Sequence, residues 1–248
     1  MFNPWTSKLE TWAEAALGFF YPNVCQLCGQ ERATLAEGYV CQNCQRQVRF
    51  IKPPFCQVCG RPREGEITQE FQCANCADLH VEFNWARASV LARDPVLEVI
   101  HRYKYLRQLW FENFLAGLLL REAGPVLRAA EWDFIVPVPL HPLKKREREF
   151  NQAERMGRRL SAATGIPLQT GLLKRVKPTR TQTLLSRVDR MENVRGAFAL
   201  RKQVSLKGRR CLLVDDVLTT GSTASACAGV LRRAGAEVVG VWTVARGV

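Results

Sequence analysis

Long apolar runs are missing from this 248-residue sequence. Residues 114–120 form a representative stretch, whereas a membrane-spanning helix needs about 20 consecutive apolar residues. No membrane span is expected. Histidine is scarce: only His80, His101 and His141 occur. They are scattered and make no acid–base set, so each reads as a structural or surface residue. No G-x-x-x-x-G-K-[ST] is present, so the sequence has no P-loop. The first twenty residues lack a basic n-region and a clean apolar h-region, and they carry acids at Glu10 and Glu14. A reducing, cytoplasmic compartment is expected. Composition shows no extreme either, with 47% hydrophobic and 24% charged residues. That excludes a mainly disordered, collagen-like or coiled-coil chain. The length allows one or two domains.

Acids are in short supply after residue 80. Residues 1–80 hold 7 bases and 8 acids, net −1, and residues 81–248 hold 29 bases and 15 acids, net +14. Residues 144–210 alone hold 19 bases and 5 acids, again +14. So local an excess suits a polyanionic partner, either a phosphorylated small molecule or nucleic acid. A solvated, solubility-promoting surface is the plainer alternative.

Ten cysteines suggest a disulfide framework until their placement is read. Eight form four C-x2-C pairs, and Cys211 and Cys227 stand far away in apolar contexts. The first unit is Cys25-x2-Cys28-x12-Cys41-x2-Cys44, and the second is Cys56-x2-Cys59-x13-Cys73-x2-Cys76. A two-residue spacing lets both thiolates of a pair face one ion from a tight turn. Gly29 and Gly60 follow their pairs, where the knuckle needs positive φ. In a reducing compartment such pairs hold metal more often than they bond to each other. Two knuckles complete a closed, structural tetrahedral site, so two Zn2+ are expected, bound serially. Disulfides and an iron–sulfur cluster are the alternatives. A ribbon below about 40 residues buries too little apolar surface to fold alone, so its metal supplies folding energy. Zinc removal is expected to unfold residues 21–80 first. Beyond folding, the ribbons suit nucleic-acid binding, protein contacts or a stabilising cap.

The chain divides at about residue 80, into 1–80 and 81–248. Residues 1–20 read as an amphipathic helix with Trp5, Leu9, Trp12 and Leu17 on its apolar side, ending before Tyr21-Pro22. Helices are expected over 94–105, 108–122 (stopped by Gly124-Pro125), 151–164 (closed by Gly165) and 222–234. Strands are expected over 133–140, 168–173, 210–214 and 237–244. Residues 174–195 are polar and basic with little periodicity and read as a long mobile loop. Strands alternating with helices predict an α/β fold with a parallel sheet covered on both faces, preceded by the small double zinc ribbon.

The chemistry concentrates in RRCLLVDDVLTTGST. An apolar strand delivers Asp215 and Asp216 to its carboxyl end, where ligands of open parallel sheets bind. The backbone N–H groups of Thr219, Thr220, Gly221 and Ser222 can converge on a phosphate at the start of a helix, and Thr223 adds a hydroxyl. Adjacent carboxylates beside such a cradle suit a vicinal sugar diol and help attract a divalent ion. A Walker-B pair is the rival reading, weakened by the missing P-loop. A plain strand-to-helix turn is the remaining alternative.

This segment resembles the phosphoribosyl-pyrophosphate (PRPP) signature of type I phosphoribosyltransferases. Together with VPVPLHPLKKREREFNQAE (136–154), the stretch from Arg175 through Gln182 to Arg190, Asn193 and Phe198, and the four Cys pairs, it resembles the ComF family. That family is competence-associated and combines a zinc-binding N-terminus with a phosphoribosyltransferase-like domain. One departure is Glu149, where many relatives have Gly. The resemblance implies that Asp215 and Asp216 hold the ribose hydroxyls and that residues 219–223 cradle the 5′-phosphate. It implies that the loop carrying His141 and Lys144 approaches the pyrophosphate. It also implies that 174–195 closes over it, with Arg175, Arg180, Gln182, Arg187 and Arg190 as contacts. PRPP with Mg2+ is the implied ligand, and single-stranded DNA and other DNA-uptake proteins are the implied partners. Three classes stay open: a PRPP-using enzyme of unknown acceptor, a non-catalytic PRPP sensor, and a single-stranded-DNA-binding protein.

Overall fold

A computed structural model describes residues 23–63, 65, 71–77, 81–178, 194 and 196–247. The expected N-terminal helix, His80, Arg180, Gln182, Arg187 and Arg190 lie outside the described residues. The ribbons contribute α1 (Gln42–Arg46) and α2 (Ala74–Ala77). The rest follows as β1 (Trp85–Leu91), α3 (Val96–Tyr105), a 3-10 turn Leu109–Phe111, α4 (Glu112–Arg128), β2 (Phe134–Pro137), α5 (Pro142–Arg148), α6 (Gln152–Thr164), β3 (Leu173–Arg175), β4 (Phe198–Leu200), β5 (Arg210–Leu218), α7 (Ser222–Arg233) and β6 (Val238–Arg246). The main sheet runs β1-β6-β5-β2, and each adjacent pair is parallel. β3 and β4 form a separate antiparallel hairpin.

Both faces of the sheet are covered. One carries Leu212, Val214, Trp242 and Val244 against α4 and against Met156 and Leu160 of α6. The other carries Leu213, Val239 and Val241 against Cys227, Ala228 and Leu231 of α7. The covering helix after β2 therefore lies on the face opposite the helix after β5, although these strands are neighbours. That places the topological switch point at their carboxyl ends, where open α/β sheets leave a crevice.

Several expected boundaries move. α4 runs through Pro125 to Arg128, because Ala123, Gly124 and Leu127 remain buried and Pro125 costs a ladder bond only near the helix end. The segment expected as a loop after the second strand is helix α5: Pro142 opens it and the His141 ring accepts from the Leu143 N–H (3.4 Å). β1 was not among the expected strands. The expected strand 168–173 reduces to one bridge at Leu168, while Leu173–Arg175 pairs with β4, so the expected mobile loop begins as a hairpin strand.

Candidate functional site: two metal centres and a phosphate-type loop

The four cysteines of each ribbon gather in turn, Cys25, Cys28, Cys41 and Cys44 at one centre and Cys56, Cys59, Cys73 and Cys76 at the other. Sulfur separations are 3.8 Å for Cys25–Cys44, 3.8 Å for Cys28–Cys41 and 3.7 Å for Cys59–Cys73. A tetrahedron with Zn–S distances near 2.3 Å has edges of about 3.8 Å, so the donors fit one ion each. A disulfide needs about 2.05 Å. Burial and the neighbours Cys41 and Cys25 push the Cys44 thiol up, whereas the backbone amides of Glu31 and Gln30 pull Cys28 down to about 6. Gly29 and Gly60 take φ of 68° and 65°, as the knuckles require.

β5 carries Asp215 and Asp216 to the switch point. Strand alternation sends the two side chains different ways. Asp216, 8% exposed, meets Lys104 of α3, with Nζ 2.7 Å from Oδ2. Asp215 is half-buried, and its Oδ1 accepts the Asp216 N–H at 2.9 Å. Burial, and then the charge of Asp216, push the Asp215 carboxyl up to about 7, with Lys104 and Arg175 opposing. Arg175 reaches this group from the hairpin, where its guanidinium lies 5.3 Å from the Phe198 ring centre. Lys144 sits within reach of the same cations: burial, then Arg148, Arg175 and Lys104, push it down. A cationic cluster thus faces the acidic pair.

The loop after β5 turns on Gly221 (φ 82°), which opens α7 without a side-chain cap. Ser225 is the first residue to enter the helical ladder, donating to the Gly221 carbonyl at 2.8 Å. Of the earlier amides, that of Ser222 donates to Thr220 Oγ1 at 3.4 Å, and its neighbours are the free donors expected of a helix start, in the arrangement that binds anions. Thr220 Oγ1 and Ser222 Oγ lie 2.8 Å apart, clasping the turn. Opposite it, Asn151 caps α6 by accepting from the Ala153 N–H (3.1 Å) and donating to the Val138 carbonyl (3.1 Å). That fixes the path into α5. Glu149 closes α5 at φ 68°, a conformation natural to glycine, and accepts from Arg107 Nη1 at 2.6 Å.

The structure thus brings Asp215, Asp216, Lys144 and Arg175 into one neighbourhood, on the strand that also delivers residues 219–223. His141 serves as the cap of α5. Lys104 and Arg246 were not singled out in the sequence. Lys104 lies in a helix where i,i+4 spacing points elsewhere, and Arg246 ends a strand with no local motif.

Residues 16–77 match the double zinc ribbon domain family and residues 116–247 the phosphoribosyl transferase domain family. Competence protein F of Haemophilus influenzae is 35% identical over 219 residues, covering 86% of this chain and 92% of that protein. The chain belongs to the ComF family. Other ComF relatives include the DNA utilization protein YhgH of Escherichia coli, 33% identical over 232 residues (91% and 97% covered). Competence protein ComFC of Bacillus subtilis is 27% identical over 199 residues (74% of each). Among solved structures, glutamine PRPP amidotransferase of B. subtilis, complexed with ADP and GMP, aligns over 51% of this chain and 24% of its own (27% identity, TM-score 0.33). The double zinc ribbon match and the two four-cysteine clusters support two structural zinc sites, and the second unit has a phosphoribosyltransferase-type fold. No helix among the described residues is long and apolar enough to cross a membrane.

Proposed function

We propose that this ComF protein binds PRPP, with Mg2+, at the β2/β5 switch point as a phosphoribosyltransferase-like protein serving DNA uptake or DNA-linked nucleotide metabolism. One observation carries the reading: an acidic pair at a strand end, next to an uncapped helix start and facing Lys104, Lys144 and Arg175. Residues 219–223 bind the 5′-phosphate through orphan amides and hydroxyls. Asp215 and Asp216 accept from the ribose 2′ and 3′ hydroxyls. Lys144 and Arg175 counter the pyrophosphate charge. Carboxylate oxygens are the hard donors Mg2+ takes, so Asp215 and Asp216 fit the ion, which supplies charge neutralisation to the leaving pyrophosphate. Departure of pyrophosphate leaves an electron-poor anomeric carbon, and the protein's part is to position, neutralise and exclude water. No protein nucleophile is needed.

Calorimetric titration with PRPP and Mg2+ tests this. Wild type binds, and Asp215→Asn with Asp216→Asn weakens binding at least tenfold while the fold persists, since each lost charged hydrogen bond costs about 1.5–3 kcal/mol. Unchanged affinity in the double variant defeats the assignment. A pyrophosphate-release screen against bases and amines then separates an enzyme from a sensor. A second reading, single-stranded-DNA binding, is favoured by α5: it buries none of its residues and carries Lys144, Lys145, Arg146 and Arg148 beside the same crevice.

A further inference from the structure

Arg246 ends β6 and is only 5% exposed. Its Nη1 donates to the carbonyls of Leu218 (2.9 Å), Thr219 and Gly247 (2.7 Å). Its Nε donates to the Cys59 carbonyl (3.3 Å), and its Nη2 lies 3.8 Å from the Cys59 Sγ. One buried guanidinium therefore touches a zinc ligand on one side and the first residues of the phosphate-type loop on the other. Its partners among the described residues are carbonyls and sulfur.

Arg246 meets Cys59 through both its carbonyl and its sulfur. Four thiolates around Zn2+ carry a net −2, which suits a buried guanidinium beside Cys59. Without the ion, no shared cation holds Cys59 to Cys56, Cys73 and Cys76, so the carbonyl and sulfur that Arg246 meets are less firmly placed. The knuckle cannot drift independently of the sheet. The Ala86 N–H donates to the Val58 carbonyl at 2.7 Å, and Arg87 donates to the Gln57 carbonyl and Oε1, both at 2.9 Å. A Cβ on Gly60 would lie 2.6 Å from the Ala86 oxygen, so the turn sits directly on β1. Arg246 holds the Leu218 and Thr219 carbonyls, leaving the amides of Thr219, Thr220, Gly221 and Thr223 for an anion.

We propose that Arg246 is a positioning residue coupling the second zinc centre to the phosphate loop, so that zinc at Cys56, Cys59, Cys73 and Cys76 sets the site's affinity for a sugar phosphate. The inference rests on the phosphate reading of residues 219–223. The full chain is tested as wild type, Arg246→Met, Arg246→Lys, Cys73→Ser, and Arg246→Met with Cys73→Ser. Zinc content, amide hydrogen exchange across 219–223, and affinity for ribose 5-phosphate and for PRPP with Mg2+ are measured.

Arg246→Met should keep two zinc ions yet bind about tenfold or more weakly. Arg246→Lys should recover part of the loss. Cys73→Ser should lose one zinc and show the same weakening and faster loop exchange. The combined variant should be little worse than either single one, because both break the same link. Fully additive losses, or wild-type affinity and exchange in Cys73→Ser, overturn the coupling. Exchange also keeps the two readings apart: if wild type binds neither ligand but loop exchange still follows zinc through Arg246, the phosphate reading falls and the coupling stands. Should Arg246→Met fail to fold, Arg246→Lys with Cys73→Ser completes the cycle.

Discussion

At the scale of single residues, Asp215 carries a cost that a functional site tolerates. An unfolded Asp titrates near 3.9, whereas burial beside Asp216 holds Asp215 at about 7. Between those values the native state keeps a proton that the unfolded chain has lost. Stability of the ligand-free protein therefore falls as pH rises from about 4 to about 7. Asp215→Asn should flatten that slope and stabilise the protein at pH 8 by on the order of 2 kcal/mol. Lys104→Met removes a cation that opposes the shift and should move the slope to higher pH. Melting temperatures across a pH series read both effects, and an identical slope in wild type and Asp215→Asn refutes the assignment. The acidic pair was legible because adjacent carboxylates after an apolar run have a grammar of their own. Lys104 was not, since its 2.7 Å ion pair spans more than a hundred residues of sequence. Glu149 stood out as a departure, and its φ of 68° shows why glycine suits the position.

At the scale of elements, periodicity read the long helices and the strands β2, β5 and β6, missed β1, and misread the places where proline has two meanings. Pro142 reads in the sequence as part of a loop and is the first residue of α5. Pro125 looked like a stop and lies inside α4, where burial of Leu127 outweighs a missing bond. The β3–β4 hairpin stayed hidden because two three-residue strands leave no pattern to detect. α5 carries the exposed Lys145 and Arg146, which widen the cationic surface started by Lys144. If that surface carries single-stranded DNA, binding should weaken steeply with salt, because each phosphate that the protein neutralises releases a counterion. Changing Lys144, Lys145, Arg146 and Arg148 to Ala should lower the log–log slope by roughly 0.7 for each phosphate left without its cation. Isotherms at several salt concentrations decide it. Unchanged binding in the four-site variant moves the DNA surface off α5, and a flat wild-type slope discards the electrostatic account.

For the whole molecule, the cysteine spacing alone disclosed two closed metal centres, but it gave no sign of how they dock. Ribbon and sheet share one core on the α4 side, where Ala33, Val40 and Val48 pack in the same cluster as Phe114 and Leu118. The Asn113 amide donates to the Leu35 carbonyl at 2.7 Å, and Arg102 reaches the Gln26 carbonyl. Among the described residues, the second ribbon has a small cluster of its own around Cys56, Cys59 and Cys76. The expectation that zinc loss unfolds residues 21–80 first therefore needs a further consequence. Stripping zinc exposes the apolar side of α4 that the first ribbon covers, so the α/β unit should lose stability as well. Uncovering Phe114 and Leu118 costs at least about 3 kcal/mol in total. At about 2–4 °C per kcal/mol for a unit of this size, the main melting transition should fall by on the order of 10 °C. Scanning calorimetry with and without a zinc chelator measures this, alongside hydrogen exchange in α4. An α/β transition that stays at its original temperature after complete zinc removal would mean that the shared core contributes nothing, and that the ribbons are appended to the sheet without supporting it.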